Sequence, residues 1–440
     1  MFYSVSRLPK RAGAWARELL FWLSRSGVKR DKMKIKKNKI IIFYHYFYPD
    51  DVAGATHFFH LCKDLSKRGW EVEAVTSNRS CRNEKQIFCK KEIIDNIKIT
   101  RIWRPPFKQA SKIGRILNAA WMNIAWSFLA LRKKNKPHII IVGTDPIFSA
   151  LIVHAWKAIH GKKLIAGHWC FDLHPEAEVA AGLLNAQSSI IKIFKKLLKK
   201  TYQKYDIIAD LGFCMKERLK KYENNSKKIT LVPWSIAEPL KIFPPNPIKR
   251  KELFHDAEIG IMYSGNFGLA HSYEEILKLA RAMRNLSAHF VFGVRGNKVT
   301  ELKNAVKKED NNISFVDFAP ESQLLEHICA ADIHIVSLQR QWSGIVVPSK
   351  FFGCLAMGRP VIFAGPSNSA IGKWIEKYNV GWVLNNKNIN EVSVKISKLM
   401  SNKEKFLELQ ERCFRVYHDN FSKERIVDKW DVSLSYLVGK

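Results

Sequence analysis

The sequence lacks the closely spaced cysteine pairs that zinc sites and dithiol centres use. Its 440 residues include eight cysteines, and none of them stands in a C-x-x-C pair. They are scattered along the chain: Cys62, Cys81, Cys89, Cys170, Cys214, Cys329, Cys354 and Cys413. This spacing argues against a cysteine-bound zinc ion and predicts reduced thiols in a cytosolic protein.

The chain also lacks an apolar run that could span a bilayer, which takes about 20 residues. The apolar stretch around Trp15 and Trp22 is short and crowded with basic residues, and no signal-peptide cleavage site follows it. We expect it to be an interfacial membrane anchor, with a disordered basic tail as the alternative. The segment Ile113–Leu131 is longer but contains two asparagines and a serine, so we expect it to lie on the surface or in the core.

Acidic residues are scarce in the first half of the chain. The whole sequence has 73 Lys and Arg against 40 Asp and Glu, a formal net charge of +33. Residues 251–440 hold 25 basic and 21 acidic residues, whereas residues 1–250 hold 48 and 19. The N-terminal half is therefore expected to meet an anionic partner, either nucleic acid or a membrane surface.

The lysines of Ser189–Lys204 are spaced as one face of an amphipathic helix. The opposite face consists of Ile190, Ile191, Phe194, Leu197 and Leu198. Such a helix is typical of one that lies on lipid, and a solvated face over an ordinary core stripe is the alternative. The residues predicted to face a membrane are Trp15, Trp22, Lys192, Lys195, Lys196 and Lys199. Because the basic residues stand opposite apolar stripes and no recognised nucleic-acid motif occurs, we favour the membrane over nucleic acid.

Strands and helices alternate from Lys39 onwards. Buried-strand patterns at Ile40–Tyr44 and Val72–Thr76 enclose a helix at Thr56–Arg68, and such a βαβ unit builds a parallel sheet. Further strands are predicted at Ile97–Trp103, His138–Val142, Lys163–Gly167, Asp206–Ala209, Lys228–Val232, Gly260–Tyr263, His289–Gly293, Ile313–Val316, Ile333–Ser337 and Pro360–Phe363. The proline-rich stretch Glu238–Pro247 interrupts the alternation. The predicted fold class is α/β, with two Rossmann-like doubly wound domains that face each other across a cleft.

Two segments of the second half could bind phosphate. A turn with Pro348, Ser349 and Lys350 opens a helix of about nine residues, and a helix N-terminus with a hydroxyl and an ammonium suits a diphosphate. A plain capped helix is the alternative. The loop Tyr263–His271 places Gly265 and Gly268 directly after the first strand of the second domain, where backbone approaches a ligand or turns tightly.

These segments, together with three others, resemble the glycosyltransferase family 4 enzymes of the two-domain B-type fold. The likeness is greatest to the bacterial subgroup related to the colanic-acid and O-antigen fucosamine-type transferases. It covers about Ile40 to Val361. The matching pieces are Pro49-Asp50-x-x-x-Gly54, Asp172-Leu-His-Pro-Glu176 with Gly182-Leu-Leu, Tyr263-Ser-Gly-Asn-Phe-Gly268, Ala330-Ala-Asp332, and Val346-Val-Pro-Ser-Lys350 ahead of Gly358-Arg-Pro-Val361.

The resemblance implies a retaining transferase that uses a nucleoside-diphosphate sugar and neither a cofactor nor a bound metal. The donor-binding residues would be Gly265, Asn266, His271, Pro348, Ser349 and Lys350. Gly54 and Glu176 would border the cleft on the acceptor side. The implied organisation is a basic segment at residues 1–38, an acceptor- and membrane-facing domain at 39–237, a nucleotide-sugar domain at 248–418 and a C-terminal helix at 419–440 that packs back on the first domain.

This sequence departs from the family pattern at four positions. Asn266 and His271 stand where the wider family often has arginine and lysine, which weakens the charge clamp on phosphate. Ile345 and Gly353 occupy the positions of the Glu-x7-Glu pair, so the usual contacts to the sugar and ribose are absent. These departures leave open a second hypothesis, a catalytically degenerate transferase fold that acts as a scaffold.

The candidate catalytic group on the acceptor side is Asp172 with His168 and His174. A carboxylate beside a histidine at a strand end could orient or deprotonate an acceptor hydroxyl. Capping of the helix that begins near Pro175 is an equally weighted alternative for Asp172. The leading hypothesis is therefore a glycosyltransferase at the inner membrane face, peripheral and cytoplasmic, that acts on a lipid-linked acceptor in surface polysaccharide synthesis. A basic nucleic-acid-binding protein is the weakest alternative.

Overall fold

The computed structural model describes residues 38–50, 52–132, 136–222, 226–235, 237–319 and 323–439. The predicted membrane residues Trp15 and Trp22 lie outside these ranges. Within the described residues, no helix combines the length and the apolar composition that a membrane span requires.

The first half of the described chain is built on an eight-stranded sheet. Its strands are β1 Lys39–Phe43, β2 Glu71–Ser77, β3 Lys91–Ile94, β4 Ile97–Ile102, β5 Ile139–Gly143, β6 Ile165–Trp169, β7 Ile207–Asp210 and β8 Lys227–Thr230. Their order in the sheet is β3-β4-β2-β1-β5-β6-β7-β8, and only the edge strand β3 is antiparallel to its neighbour. The central strands β1 and β5 are nearly continuous isoleucine and valine because helices cover both of their faces.

The helices of this half are α1 Ala53–Lys67, α2 Lys112–Arg132, α3 Val153–His160, α4 Glu176–Ala180, α5 Ser189–Tyr202 and α6 Phe213–Lys220. A 3-10 turn, Ser149–Ile152, leads into α3. The apolar face predicted for α5 is only partly a core face. Ile191 and Leu198 are buried, whereas Ile190 and Leu197 are exposed to solvent.

The second half is built on a six-stranded, fully parallel sheet. Its strands are β9 Ile259–Asn266, β10 Ala288–Arg295, β11 Ile313–Val316, β12 Ile333–Ser337, β13 Val361–Ala364 and β14 Gly381–Leu384, in the order β11-β10-β9-β12-β13-β14. Its helices are α7 Pro247–Phe254, α8 Glu274–Ala282, α9 Val299–Ala305, α10 Leu324–Ala330, α11 Lys350–Ala356, α12 Ala370–Tyr378, α13 Ile389–Met400, α14 Lys403–Asn420 and α15 Lys423–Val438. The predicted strands are present in both sheets, and the predictions missed the short edge strands β3 and β14.

The last helix, α15, packs against the first sheet domain. The indole N–H of Trp70 donates to Asp431 at 2.7 Å. Trp430 is fully buried, with its ring centroid 5.8 Å from that of Trp169 on β6. These contacts bring the end of the chain back to the half in which it began, so that both sheets lie in one compact body from Asn38 onwards.

Candidate active site

A cavity of about 440 Å³ lies where the two sheet domains meet. The first domain and the segment that follows it contribute Ala53, His57, Trp234, Ser235 and Ala237. The second domain contributes residues from the end of β9 and the loop after it, from the turn before α11 and from α11 itself. All the predicted donor-side residues line this cavity: Gly265, Asn266, His271, Pro348, Ser349 and Lys350. The structure therefore brings together two segments that are about 80 residues apart in sequence.

Lys350 reaches from the first position of α11 to the C-terminal end of β9. Its ammonium donates to the backbone carbonyl of Asn266 at 3.2 Å and lies 3.8 Å from the ring centroid of Tyr263. Burial lowers the pKa of this ammonium to about 7. Within the described part of the chain, the cation contacts a carbonyl dipole and an aromatic face and no carboxylate, so its charge remains available to an anion in the cavity.

Gly265 permits this approach of Lys350. Its φ of +127° lies in the region that favours glycine, and a Cβ atom there would stand 3.2 Å from the Lys350 ammonium. A side chain at this position would both strain the backbone and push the ammonium away. The glycine near the end of β9 is thus explained by the close contact between this strand end and the lysine.

His271 presents a neutral imidazole to the same end of the cavity. The backbone N–H of Gly268 donates to its Nδ1 at 3.1 Å, and the carbonyl of Gly268 lies 3.3 Å from the same nitrogen. Burial, reinforced by the nearby charge of Lys350, lowers the pKa of His271 to about 3. The shorter contact favours the tautomer with its proton on Nε2, which can donate a hydrogen bond but adds no positive charge.

The predicted helix after Ser349 is present but shorter than expected. It spans seven residues, Lys350–Ala356, and the chain turns at Gly358 with a φ of +67°. Ser349 immediately precedes the helix, and its hydroxyl makes no capping hydrogen bond. Ser349 is exposed to solvent and lines the cavity.

The two positions without glutamate have different surroundings. Ile345 is buried, and its carbonyl accepts a hydrogen bond from the backbone N–H of Leu173 at 3.1 Å, which joins the two halves of the chain. Gly353 faces the cavity, where an added Cβ would meet only the Ser235 hydroxyl, at 3.9 Å. The missing carboxylate at Gly353 therefore leaves open space.

The predicted catalytic group on the acceptor side lies together but away from this cavity. His168, Asp172 and His174 line a separate void of only about 10 Å³, beside the hydroxyl-bearing residue Thr144 and the helix α5. His168 is buried at the end of β6, its Nδ1 lies 2.8 Å from the carbonyl of Val142, and burial lowers its pKa to about 4. This arrangement fits a neutral, structural imidazole.

The charges of Asp172, His174 and Glu178 affect one another's pKa. Burial raises the pKa of Asp172, and the nearby Asp145 and Glu178 carboxylates add to this effect while His174 opposes it. Burial acts to lower the pKa of His174, but its hydrogen bond to Glu178, 2.7 Å from Nδ1, raises the pKa above the ordinary value. The N-cap of α4 is Pro175, not Asp172, so the helix-capping alternative for Asp172 is wrong.

The structure gives Gly54 and Glu176 structural contacts. Gly54, in the first turn of α1, lies against Tyr44, whose hydroxyl would be only 2.0 Å from an added Cβ. Glu176 accepts a hydrogen bond from the hydroxyl of Tyr222 at 2.7 Å. Neither residue lines the large cavity among the residues that the structure describes.

The sequence predictions missed His57 and Trp234 on the cavity wall. The two residues are linked, since Nε2 of His57 lies 2.9 Å from the carbonyl of Trp234, and burial lowers the pKa of the imidazole. Trp234 lies two residues after the strand predicted at Lys228–Val232, and His57 comes one residue after the start predicted for its helix. Their positions at the ends of predicted elements were the only available signal.

The sequence is similar to that of one curated glycosyltransferase. No family model matches the chain. Over 292 residues the chain is 22% identical to a probable glycosyltransferase, WbjE, of Pseudomonas aeruginosa, and the match covers 63% of this chain and 70% of WbjE.

Several solved structures share the whole architecture. Sucrose-phosphate synthase from Thermosynechococcus elongatus superposes with a TM-score of 0.69 at 14% identity, covering 92% of this chain and all of that one. HepE of Anabaena, solved in complex with UDP and glucose, gives 0.62 at 10% identity, with 91% and 100% covered. WaaG, a glycosyltransferase involved in lipopolysaccharide biosynthesis, gives 0.56 at 12% identity, with 91% and 100% covered.

These likenesses confirm the predicted fold class, two parallel-sheet domains in the arrangement of B-type glycosyltransferases. The similarity in sequence to WbjE supports the predicted class of enzyme as well. The chain thus has the fold of B-type glycosyltransferases and is similar to a glycosyltransferase in sequence.

Proposed function

We propose that this protein transfers a sugar, with retention of configuration, from a nucleoside-diphosphate donor to a lipid-linked or polysaccharide-precursor acceptor. The proposal includes membership of glycosyltransferase family 4, in the subgroup of the colanic-acid and O-antigen fucosamine-type transferases. The donor domain would span residues 248–418 and the acceptor domain residues 39–237. The observation that carries the proposal is the Lys350 ammonium at the wall of the interdomain cavity, which pairs with no carboxylate among the residues that the structure describes.

The groups around Lys350 suit a diphosphate. The cavity is lined by an ammonium, a serine hydroxyl and a neutral imidazole, from Lys350, Ser349 and His271. Gly265 and Asn266 supply the backbone on which the ammonium rests. HepE, whose structure contains UDP and glucose, has the same architecture. In this chain a single cation and neutral donors would take the place of the arginine and lysine of the wider family.

Transfer depends on stabilising the diphosphate as it leaves. Negative charge grows on the phosphate oxygens as the glycosidic bond breaks, and fixed donors in a cavity stabilise it without reorganising. The leaving diphosphate itself can take the proton of the attacking hydroxyl. Asp172 would then position the acceptor instead of deprotonating it, and the nearby His174 would favour the ionised form of that carboxylate.

The acceptor side would face the inner surface of the membrane. In α5, the side chains of Lys192, Lys195, Lys196 and Lys199 stand on a helix without acidic residues, and each cation near an anionic leaflet contributes about 1 kcal/mol. WaaG and WbjE are named as glycosyltransferases, and WaaG as one involved in lipopolysaccharide biosynthesis. We therefore propose a peripheral, cytoplasmic enzyme of surface polysaccharide synthesis.

A transfer assay tests the proposed activity. The purified protein is incubated with labelled UDP-, GDP- and ADP-sugars and a bacterial lipid extract, and the label is followed into the organic phase. We expect transfer from the sugars of one nucleotide. Nucleotide binding without transfer to any lipid would contradict the acceptor class, and the absence of both would favour the scaffold hypothesis raised by Ile345 and Gly353.

The pKa of Lys350 predicts how donor binding depends on pH. Below about pH 7 the ammonium is already charged in the free protein, whereas above pH 7 it must take up a proton to meet the diphosphate. The affinity for a nucleoside diphosphate should therefore be nearly constant just below pH 7 and fall up to about tenfold per pH unit above it. Calorimetric titrations from pH 6.5 to 9 measure this. A flat profile above pH 7, or an unchanged slope in Lys350→Met, would contradict it.

A further inference from the structure

The helix α2 carries a continuous apolar face that is exposed to solvent. We call it the α2 stripe: Ile113, Ile116, Leu117, Trp121, Ile124, Phe128 and Leu131. These side chains are 41–72% exposed. Their spacing of three and four residues puts them on one side of five turns of helix. The sequence left open whether this segment is buried or lies on the surface. In the structure one face of the helix is buried and the other is exposed.

The orientation of the α2 stripe is fixed by the opposite face of the helix. Met122 and Trp126 are fully buried there, and the Trp126 carbonyl accepts a hydrogen bond from the indole N–H of Trp156 at 3.1 Å. The buried Asn118 donates to the carbonyl of Phe107 at 2.8 Å. The helix cannot roll its apolar side inward without breaking these contacts, so the stripe must meet water or a partner.

A second exposed apolar set lies on helix α5. Ile190 and Ile193 are 59% and 66% exposed, and Leu197 is 36% exposed. Both helices pack against the same segment between β5 and α3. Asn123 of α2 donates to the carbonyl of Ile147 at 3.0 Å, and Phe148 stacks on Phe194 of α5 at 4.7 Å. The two exposed sets therefore lie on two helices of the first domain, α2 and α5, that pack against the same segment.

The charges on these helices select the partner. Neither α2 nor α5 contains an acidic residue, whereas α2 has three basic residues and α5 has five lysines. A second copy would place these cations against cations, and so would the N-terminal segment of this chain, which is itself strongly basic. An apolar strip between basic residues matches an anionic lipid surface, where hydrocarbon and negative charge lie within a few ångströms of each other.

We propose that α2 lies in the plane of an anionic bilayer and inserts its apolar stripe between the headgroups, while the lysines of α5 bind the headgroups beside it. This goes beyond the proposed electrostatic contact of α5, because insertion predicts binding that survives high salt. It rests on the proposed function only for the expectation that the acceptor is carried by a membrane. At about 1.5 Å per residue, α2 would cover about 30 Å of the membrane surface.

Sedimentation with vesicles tests the insertion. The full chain is mixed with vesicles of phosphatidylglycerol and phosphatidylcholine at 0.15 M and 1 M salt. We expect the wild type to bind at both, and Ile124→Gln/Phe128→Gln to bind at least tenfold more weakly. The matched control, Leu240→Gln/Ile248→Gln, removes two side chains in the second half that are 96% and 80% exposed, and it should bind like the wild type.

Hydrogen exchange shows which segment contacts the vesicle. Further experiments test whether a second copy or residues 1–37 cover the stripe instead. Peptides from residues 112–132 should exchange more slowly with vesicles than without, while peptides of the second sheet stay unchanged. Vesicle binding with no protection of α2, or undiminished binding by the α2 variant, would overturn the proposal. The proposal would also be overturned if the stripe were buried in the absence of lipid. A dimer in sedimentation equilibrium that the α2 variant abolishes would show this, and so would cross-links between α2 and residues 1–37.

Nucleotide binding separates this proposal from the proposed function. The α2 variant should bind nucleoside diphosphates as the wild type does, because none of the stripe residues lines the interdomain cavity. If the protein binds vesicles at high salt but binds no nucleotide, the proposed insertion of α2 is supported and the proposed transferase function is contradicted. If the protein binds a nucleotide but no vesicles, the insertion of α2 is contradicted and nucleotide-sugar binding is supported.

Discussion

Replacement of Lys350 by methionine is expected to weaken nucleoside-diphosphate binding at least tenfold and to lower sugar transfer about 100-fold. The substitution keeps most of the volume of the side chain and removes the cation that rests on Tyr263 and on the carbonyl of Asn266. Turnover should fall more than affinity, because charge on the diphosphate grows as the sugar leaves. Calorimetry and initial-rate measurements give the two quantities.

The fold should not suffer from this replacement. Burial lowers the pKa of Lys350, so the charged form is held at a cost that methionine does not have. The variant should therefore melt at or above the wild-type temperature. Lys387, exposed after β14, provides a matched control, and Lys387→Met should change neither binding nor transfer. Unchanged nucleotide affinity in Lys350→Met would remove Lys350 from the donor site.

The replacement of Gly54 by alanine is expected to destabilise the protein by about 1–3 kcal/mol. The ring of Tyr44 lies between Gly54 and Gly143 and stacks on Phe58 at 4.1 Å, so it has little room to move. A methyl group on Gly54 would stand 2.0 Å from the tyrosine hydroxyl. The midpoint of urea unfolding measures the effect.

Gly353 is the matched control for this clash. It also lies within a helix, α11, but an added Cβ meets only the Ser235 hydroxyl at 3.9 Å. Gly353→Ala should leave stability unchanged or raise it by about 0.5–1 kcal/mol, since alanine restricts the unfolded chain. Tyr44→Leu should reduce the cost of Gly54→Ala, because the two effects share one contact. Equal stability of both alanine variants would contradict the packing argument.

The parallel sheets could be predicted because their signals are local. Strands such as β1 and β5 contain runs of three or four apolar branched residues, Ile40–Ile42 and Ile139–Val142, and each is followed by a turn and a helical pattern. Runs of this kind have few alternatives. The edge strands β3 and β14 have four residues each and are less buried, so no comparable pattern marks them.

The site could be predicted only where one segment carries several groups. Ser349 and Lys350 stand together at a helix start, and Gly265 and His271 share one loop, so both segments were found. His57 and Trp234 reach the cavity from distant parts of the chain, which no local pattern could reveal. The role of Gly54 depends on Tyr44, ten residues earlier, and the separate void around Asp172 depends on how β5, β6 and α5 meet.

The most direct test of the central claim is a melting-temperature screen with UDP, GDP, ADP and CMP, run on the wild type and on Lys350→Met. A ligand that binds only the folded state raises the melting temperature, by an amount set by its concentration and affinity. The donor site described above predicts a rise with one nucleoside diphosphate that is lost in Lys350→Met. No rise with any nucleotide, or an equal rise in both proteins, would contradict it.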